Sequence, residues 1–248
     1  MAHQEYVRMV PGSDTAVLML HGITGTPDHF EMFFPLIPAD WSVHALLLEG
    51  HGGSVLDFGF SSMARWKAQV QARMEELLAT HQYVYIVAHS MGTLFALQLS
   101  LKYPDRIPGL FLLGSPLRVH MPLSTSVMSV RLALGMVDQK NQSARDMQRT
   151  FSIDPSPWLP LYVTWAPRFL ELLGEIWQTR KILDQITVPT QVFQSKNDEL
   201  VHFSSRKDFV GYPTITCYHL MNSGHFGYSP EDAAFLKEKF AEMVSAEK

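Results

Sequence analysis

The stretch from Val84 to Lys102 constrains this chain most. Val84-Tyr-Ile-Val-Ala88 is a run of β-prone and apolar residues, and such a run reads as a strand buried on both faces. It passes into His89-Ser90-Met91-Gly92, and Thr93 to Lys102 then carries a helical apolar pattern stopped by Tyr103-Pro104. A buried strand, a very short turn and a helix place Ser90 at the tip of the turn. This is the small-Xaa-Ser-Xaa-Gly pattern of a nucleophile elbow. The helix crosses close to the strand, so the flanking positions Ala88 and Gly92 must be small; Ala88 stands where glycine is usual. Such a turn aims the serine hydroxyl toward solvent near the positive end of a helix, beside the backbone N–H of Met91.

The surrounding pattern is that of an α/β protein. Ala16 to Leu20 and Gly109 to Leu113 are short continuous apolar runs, and Ser42 to Leu48 is a further strand. A helix is expected from Asp28 to Pro38. Glu49 to Ser54 is expected to be a flexible loop. Met63, Trp66, Val70, Met74 and Leu77 form one apolar stripe on an amphipathic helix. Strands alternating with helices predict a mostly parallel sheet covered on both faces, with ligands at the carboxyl ends of the strands. The alternation stops after Pro116 and resumes with a strand over Thr190–Gln194, a helix from about Ser204, a strand over Ile215–Leu220 and a last helix from Pro230. The expected organisation is therefore a core of residues 1–116 and 187–248, with residues 117–186 inserted as a helical lid.

Within that insertion Leu123, Val127, Val130, Leu134 and Val137 fall on one helical face, and Met121, Met128, Leu132 and Met136 almost opposite. A helix apolar on two faces is expected to be covered on both. The methionine-rich face is a candidate pocket lining, since Met adapts to varied apolar partners; plain core packing is the alternative. Trp158 extends the apolar character and joins the candidate substrate contacts.

At 248 residues, 46% apolar and 18% charged, the chain is long enough for one large domain. A net charge of −4 without a Lys/Arg cluster argues against a nucleic-acid partner. Cys217 is the only cysteine, which excludes an intrachain disulfide; it reads as a buried strand thiol. The first residues do not form a secretory signal, and no apolar run approaches a membrane span. A soluble cytoplasmic protein is the expectation. Eleven histidines invite a metal reading, but no His-Glu-Xaa-Xaa-His or clustered Cys/His spacing occurs, nor any phosphate-binding glycine loop. No metal or cofactor is expected.

An activated serine needs a base within hydrogen-bond reach, and the base an orienting carboxylate. In the elbow context these follow in the order Ser, Asp or Glu, His. Asp198 and Glu199 follow the Thr190–Gln194 strand, and His225 follows the next strand in Asn222-Ser-Gly-His-Phe-Gly-Tyr228. His21 and His51 read as hydrogen-bonded loop anchors, His89 as a support of the turn, and His202 and His219 as surface or strand residues. Attack on an acyl carbon also needs two N–H donors for the oxyanion. Met91 N–H is one candidate, and Ile23 N–H, after the close-approaching Gly22, the other.

His21-Gly22-Ile23, Gly50-His-Gly-Gly-Ser54, Ala88-His-Ser-Met-Gly92, Asp198-Glu-Leu-Val201 and Ser223-Gly-His225 together resemble the α/β-hydrolase fold family, and within it the compact bacterial carboxylesterases and monoacylglycerol lipases. The resemblance runs from about residue 16 to the end and is weakest in the lid. It implies Ser90 as nucleophile, His225 as base, Asp198 as orienting acid and Ile23 and Met91 as oxyanion donors. Ser195 departs from the glycine often found before the acid, which keeps Glu199 as a rival to Asp198. The implied activity is carboxylic-ester hydrolysis through an acyl-enzyme, on short-to-medium acyl esters or monoacylglycerols: a small-molecule ester with an apolar acyl part. Two alternatives use the same scaffold. One is carbon–carbon hydrolysis of a ring-fission diketone, for which Arg118, Arg131, Arg145 or Arg168 would bind a substrate carboxylate. The other is ligand binding without turnover.

Overall fold

Seven strands form one sheet in the computed structural model, which describes residues 3–120, 127–128, 130–132 and 134–245. They are β1 (Tyr6–Arg8), β2 (Thr15–Leu20), β3 (Ser42–Leu46), β4 (Tyr83–His89), β5 (Leu110–Leu113), β6 (Thr190–Ser195) and β7 (Ile215–Leu220). Their spatial order is β1-β3-β2-β4-β5-β6-β7. β1 is antiparallel to β3 and every other pairing is parallel. The chain leaves β2 toward β3 on one side and returns to β4 on the other. That reversal makes a topological switch point between the carboxyl ends of β2 and β4, where an open sheet leaves a crevice. Leu20 pairs with Ala88 there, so His21 and Ser90 emerge side by side.

Strand periodicity divides the core in two. Ala16, Leu18 and Leu20 face one way, with Ile86 and Leu112, into a cluster closed by α2 (Met63–Thr80) and α3 (Met91–Lys102). Val17 and Met19 face the other way, with Val87, Phe111 and Phe193, against α6 (Pro230–Ser245) through Leu236 and Phe240. Burying each such side chain contributes about 1.5–3 kcal/mol. The expected stripe of α2 is the buried one. Ser62 caps this helix, its hydroxyl accepting from Arg65 N–H.

Two local expectations need correction, and one element went unread. Asp28–Pro38 is not one helix but two short 3₁₀ turns, Pro27–Phe30 and Phe34–Leu36. Pro35 lies mid-segment, where its missing N–H and its ring break an α-helix. The segment after His202 is likewise a 3₁₀ helix, Phe203–Phe209. The loop Glu49–Ser54 leads into an unexpected short helix, α1 (Val55–Phe60), fixed by a capping box between Ser54 and Asp57.

Between β5 and β6 the described residues contain no named strand. They contain α4 (Gln142–Thr150), a 3₁₀ helix Leu159–Trp165 and α5 (Ala166–Arg180). This part is tied to the rest by polar contacts. Trp165 Nε1–H donates to Val55 O at 2.9 Å, and the Arg168 guanidinium donates to Gly59 O at 2.7 Å and to Ser61 O. Lys67 pairs with Glu175, and Gln98 donates to Glu175 and Thr179. Val127, Met128 and Val130–Leu132 are helical, but the chain turns at Leu134 and Gly135, whose φ is +70°. Val127 and Val130 are exposed, so the face expected to be covered is open to solvent on this side. Met136 and Val137 fall beyond the helix. Met121 and Leu123 lie outside the described residues.

Candidate active site

Ser90 closes β4 and opens α3 with φ 51° and ψ −124°. Among the described residues it is the only non-glycine with positive φ. An L-residue occupies that region at a cost of about 1–3 kcal/mol and persists only where its surroundings over-determine it. Here they do. Ser90 N–H donates to Leu113 O at 2.9 Å, and Ser90 O accepts from Thr93 N–H and from the Thr93 hydroxyl. Gly92 lies against the main chain of Leu20 and His21, and an added Cβ would stand 2.7 Å from Leu20 C and 2.8 Å from His21 O.

The loop after β2 is pinned beside this turn. A Cβ on Gly22 would lie 3.0 Å from Ser90 Cβ, so glycine permits the close approach. His21 Nε2 accepts from Leu48 N–H at 3.0 Å, which puts the ring proton on Nδ1, and Nδ1–H donates to Gly22 O at 2.8 Å. Gly25 N–H reaches the same oxygen at 3.0 Å. Gly22 O belongs to the peptide unit whose other end is Ile23 N–H, so these bonds aim that donor. His51 Nε2 lies 2.7 Å from Ile23 O and holds the next peptide plane. Burial keeps both imidazoles neutral: His21 sits well below the ordinary range, by burial and then the neighbouring His51, and His51 is lowered to about 4 by burial.

On the far side of Ser90, Asp198 and His225 form a buried pair. His225 Nδ1–H donates to Asp198 Oδ2 at 2.8 Å. The other carboxylate oxygen accepts from Leu200 N–H at 2.8 Å and Val201 N–H at 2.6 Å. Burial alone depresses the His225 imidazole. The charge and hydrogen bond of Asp198, with the charge of Glu199, outweigh it and leave the pKa raised. Glu199 does not reach the ring; its carboxylate accepts from His225 N–H at 2.6 Å. Of the two acids, Asp198 is therefore the one that meets the imidazole. His89 Nε2–H donates to His225 O at 3.1 Å, and its ring stacks on His29 at 3.7 Å.

Ser90, His225, Ile23 and Gly22 line one small cavity of about 30 Å³, together with Leu200 and Phe226. His29 and Phe226 also line an adjoining groove of about 810 Å³, where polar side chains such as Asn197, Asn222, Gln142 and Arg149 predominate. Glu199 and Ser143 join this groove to a third cavity of about 560 Å³. Met128, Leu132 and Met136 line that third cavity, with Val127, Ala144 and Met147. These three residues of the expected methionine-rich face thus share one wall. Ala144 and Met147, on α4, went unread because that helix is largely polar. Trp158 is 65% exposed and lines none of these cavities among the described residues. His202 and His219 are exposed and stand away from Ser90. Cys217 is half-buried, with its thiol raised to about 11 by burial.

The fold and the strained serine turn are those of an α/β-hydrolase. Residues 12–216 match the family model described as serine aminopeptidase, S33, and the chain belongs to that family of hydrolases. It is similar to the thermostable monoacylglycerol lipase of Bacillus sp. (strain H-257), 26% identical over 75% of this chain and 71% of the relative. One of two metagenome-derived lipolytic enzymes superposes with a TM-score of 0.74 at 20% identity, over 99% of this chain and 98% of that one. A meta-cleavage product hydrolase from Pseudomonas fluorescens IP01 superposes with a TM-score of 0.66 at 16% identity, over 96% and 92%. At these identities the two structures speak for the fold alone. No helix among the described residues is long and apolar enough to cross a membrane.

Proposed function

We propose that the chain is a serine carboxylic-ester hydrolase working through an acyl-enzyme. The observation that carries this reading is the buried Asp198–His225 pair opening into the same small cavity as Ser90, the one strained non-glycine residue among those described. Ser90 Oγ attacks the ester carbonyl carbon as its proton passes to His225 Nε2. The oxyanion is received by Ile23 N–H and Met91 N–H; a helix's first N–H groups have no partner within the helix. Asp198 holds the imidazole in the tautomer with Nδ1–H and stabilises the imidazolium. His225 returns the proton to the departing alcohol; it then takes a proton from water as the water oxygen bonds the acyl carbon, and passes that proton to Ser90 Oγ as the Oγ–acyl bond breaks and the acid leaves.

Residues 117–186 serve as a lid in this proposal. Ser152 N–H donates to Thr24 O at 3.0 Å and Gly52 N–H to Ser152 O at 2.9 Å, contacts with the loops after β2 and β3 that support this reading. The apolar cavity lined by Met128, Leu132, Met136 and Met147 suits a short-to-medium acyl chain, and the polar groove beside His225 suits a hydroxylated alcohol such as glycerol. The diketone reading needs a free cation for a substrate carboxylate. Arg168 is spent on Gly59 O, Ser61 O and Glu171, Arg118 on Asp208, and Arg145 on Gln139 O and Gln142; Arg131, at the wall of the apolar cavity, and Arg149, in the polar groove, keep that reading open.

The test is hydrolysis of p-nitrophenyl esters from acetate to palmitate, beside a ring-fission diketone. An optimum at short-to-medium length and no turnover of the diketone support the reading. Turnover of the diketone alone, or equal rates on very polar acyl groups, would overturn it.

A further inference from the structure

We infer that Glu199 is a positioning residue for His225: its carboxylate anchors the main-chain N–H of the base, as His89 anchors its carbonyl. The inference rests on His225 being the base. Glu199 Oε2 accepts from His225 N–H at 2.6 Å, while His225 O accepts from His89 Nε2–H at 3.1 Å and the ring donates to Asp198 at 2.8 Å. The residue is therefore held by its amide, its carbonyl and its imidazole, each from a different side chain. A base whose ring must stay within hydrogen-bond reach of both a carboxylate and a serine gains from such fixing.

A second observation points to the same role. Gly224 lies one residue before the base, yet its φ is not in the left-handed region, so the glycine does not answer a backbone need. What it provides is clearance. A Cβ there would stand 2.7 Å from both Glu199 carboxylate oxygens and 3.0 Å from Glu199 Cδ. Gly224 N–H also donates to Gly227 O at 3.2 Å, closing a turn around His225. The glycine of Ser223-Gly-His225 and the glutamate of Asp198-Glu-Leu-Val201 thus form one contact. Glu199 also stands in the wall shared by the polar groove and the apolar cavity, so the anchor lies where substrate passes.

The groups facing His225 come from several elements. Asp198 and Glu199 approach from the loop after β6, His89 from the β4–α3 turn, and His29 from the 3₁₀ turn after β2, where it bonds Tyr228 Oη at 3.0 Å. α4 contributes Asp146, beside Gly227, and Arg149, whose charge acts on His29. Among these, Asp198 and Glu199 are the ones that favour the imidazolium formed during catalysis.

Glu199→Gln keeps an acceptor oxygen and removes the charge; Glu199→Ala removes both; Gly224→Ala presses on the carboxylate. The readouts are kcat and KM on a p-nitrophenyl ester, the acid limb of kcat/KM, and the NMR titration of the His225 ring. For Glu199→Ala and Gly224→Ala the expected result is kcat lower by about 10–100-fold at nearly unchanged KM, up to the roughly 10²-fold that a small misplacement of a reacting group costs. The double variant is expected to be no worse than either single one, since the two residues make one contact. Glu199→Gln is expected to retain kcat within about threefold at alkaline pH while the His225 titration and the acid limb move to lower pH. An unmoved titration in both glutamate variants, or a loss in KM rather than kcat, would overturn the inference. The titration does not need turnover: a protein that hydrolyses no ester but shows the shift has lost the proposed function and kept this contact.

Discussion

The helix carrying Gly92 crosses Leu20 so closely that a Cβ on the glycine would stand 2.7 Å from the Leu20 carbonyl carbon. Leu20 ends β2 and Gly92 belongs to the first turn of α3, so this approach fixes the distance between the Ile23 loop and Ser90. Gly92→Ala must push the two main chains apart. We expect destabilisation at or above the roughly 1–3 kcal/mol typical of overpacking, read as a lowered urea midpoint. Ester turnover should fall further than the unfolded fraction explains. A variant with full activity and parental stability would show that the approach does not matter.

The aim of Ile23 N–H is the subject of a second prediction. His21→Leu removes the Nδ1–H bond to Gly22 O; His21→Asn can place an amide N–H near the same point. Both lose the acceptor for Leu48 N–H, so the difference between them isolates the donor to Gly22 O. His21→Leu should lose about 10²-fold in kcat, the scale of one oxyanion donor, and His21→Asn should recover part of it. Equal losses in the two variants would remove Gly22 O from the account.

Acid should weaken this fold. Burial, and then the charge of His225, lowers His29 to about 3, and burial lowers His51 to about 4, from 6.5. Between 6.5 and those values the unfolded chain binds more protons than the folded one, so stability falls as pH falls through that window, by up to about 1.4 kcal/mol per pH unit for each histidine. His225 has the opposite sign: its raised pKa favours the fold below 6.5, a contribution lost as pH rises through the folded value. Urea unfolding across pH 4 to 7 should show the buried neutral histidines dominating, His29 and His51 together with His21 and His89, which burial also lowers. His51→Gln should flatten the slope; an unchanged slope would contradict the assignment.

The pH–rate profile follows from the same group. The proposed base must be neutral, and its pKa is raised, so kcat/KM should fall on the acid side with a midpoint above 6.5. An acid limb centred well below that value would exclude His225 as the titrating base.

Much of this arrangement was legible in the chain. Periodicity is local, so the strand, turn and helix around Ser90 and the stripe of α2 could be read directly, and the order Ser90, Asp198, His225 placed three loops on one sheet edge. What escaped was set by contacts between distant residues. The choice of Asp198 over Glu199 depends on which carboxylate meets Nδ1 and which meets a backbone N–H, and neighbours in sequence do not reveal that. The supposed helix at Asp28–Pro38 failed for a local reason, Pro35. Trp158 suggested a substrate contact by its apolar character, yet it is exposed, and Trp158→Ala should leave ester turnover within about twofold, as for a surface substitution. Leu132→Phe, by contrast, should shorten the preferred acyl chain, because Leu132 is buried at the wall of the apolar cavity.

The central claim is a covalent intermediate on Ser90. The direct measurement is to mix the protein with a p-nitrophenyl ester, quench in acid within one turnover, and map the added acyl mass by peptide mass spectrometry. The account predicts the acyl group on the peptide carrying Ser90, none in Ser90→Ala, and a fall in turnover on the order of 10⁴–10⁶ in that variant. Acylation of another residue, or turnover that survives the loss of Ser90, would contradict it.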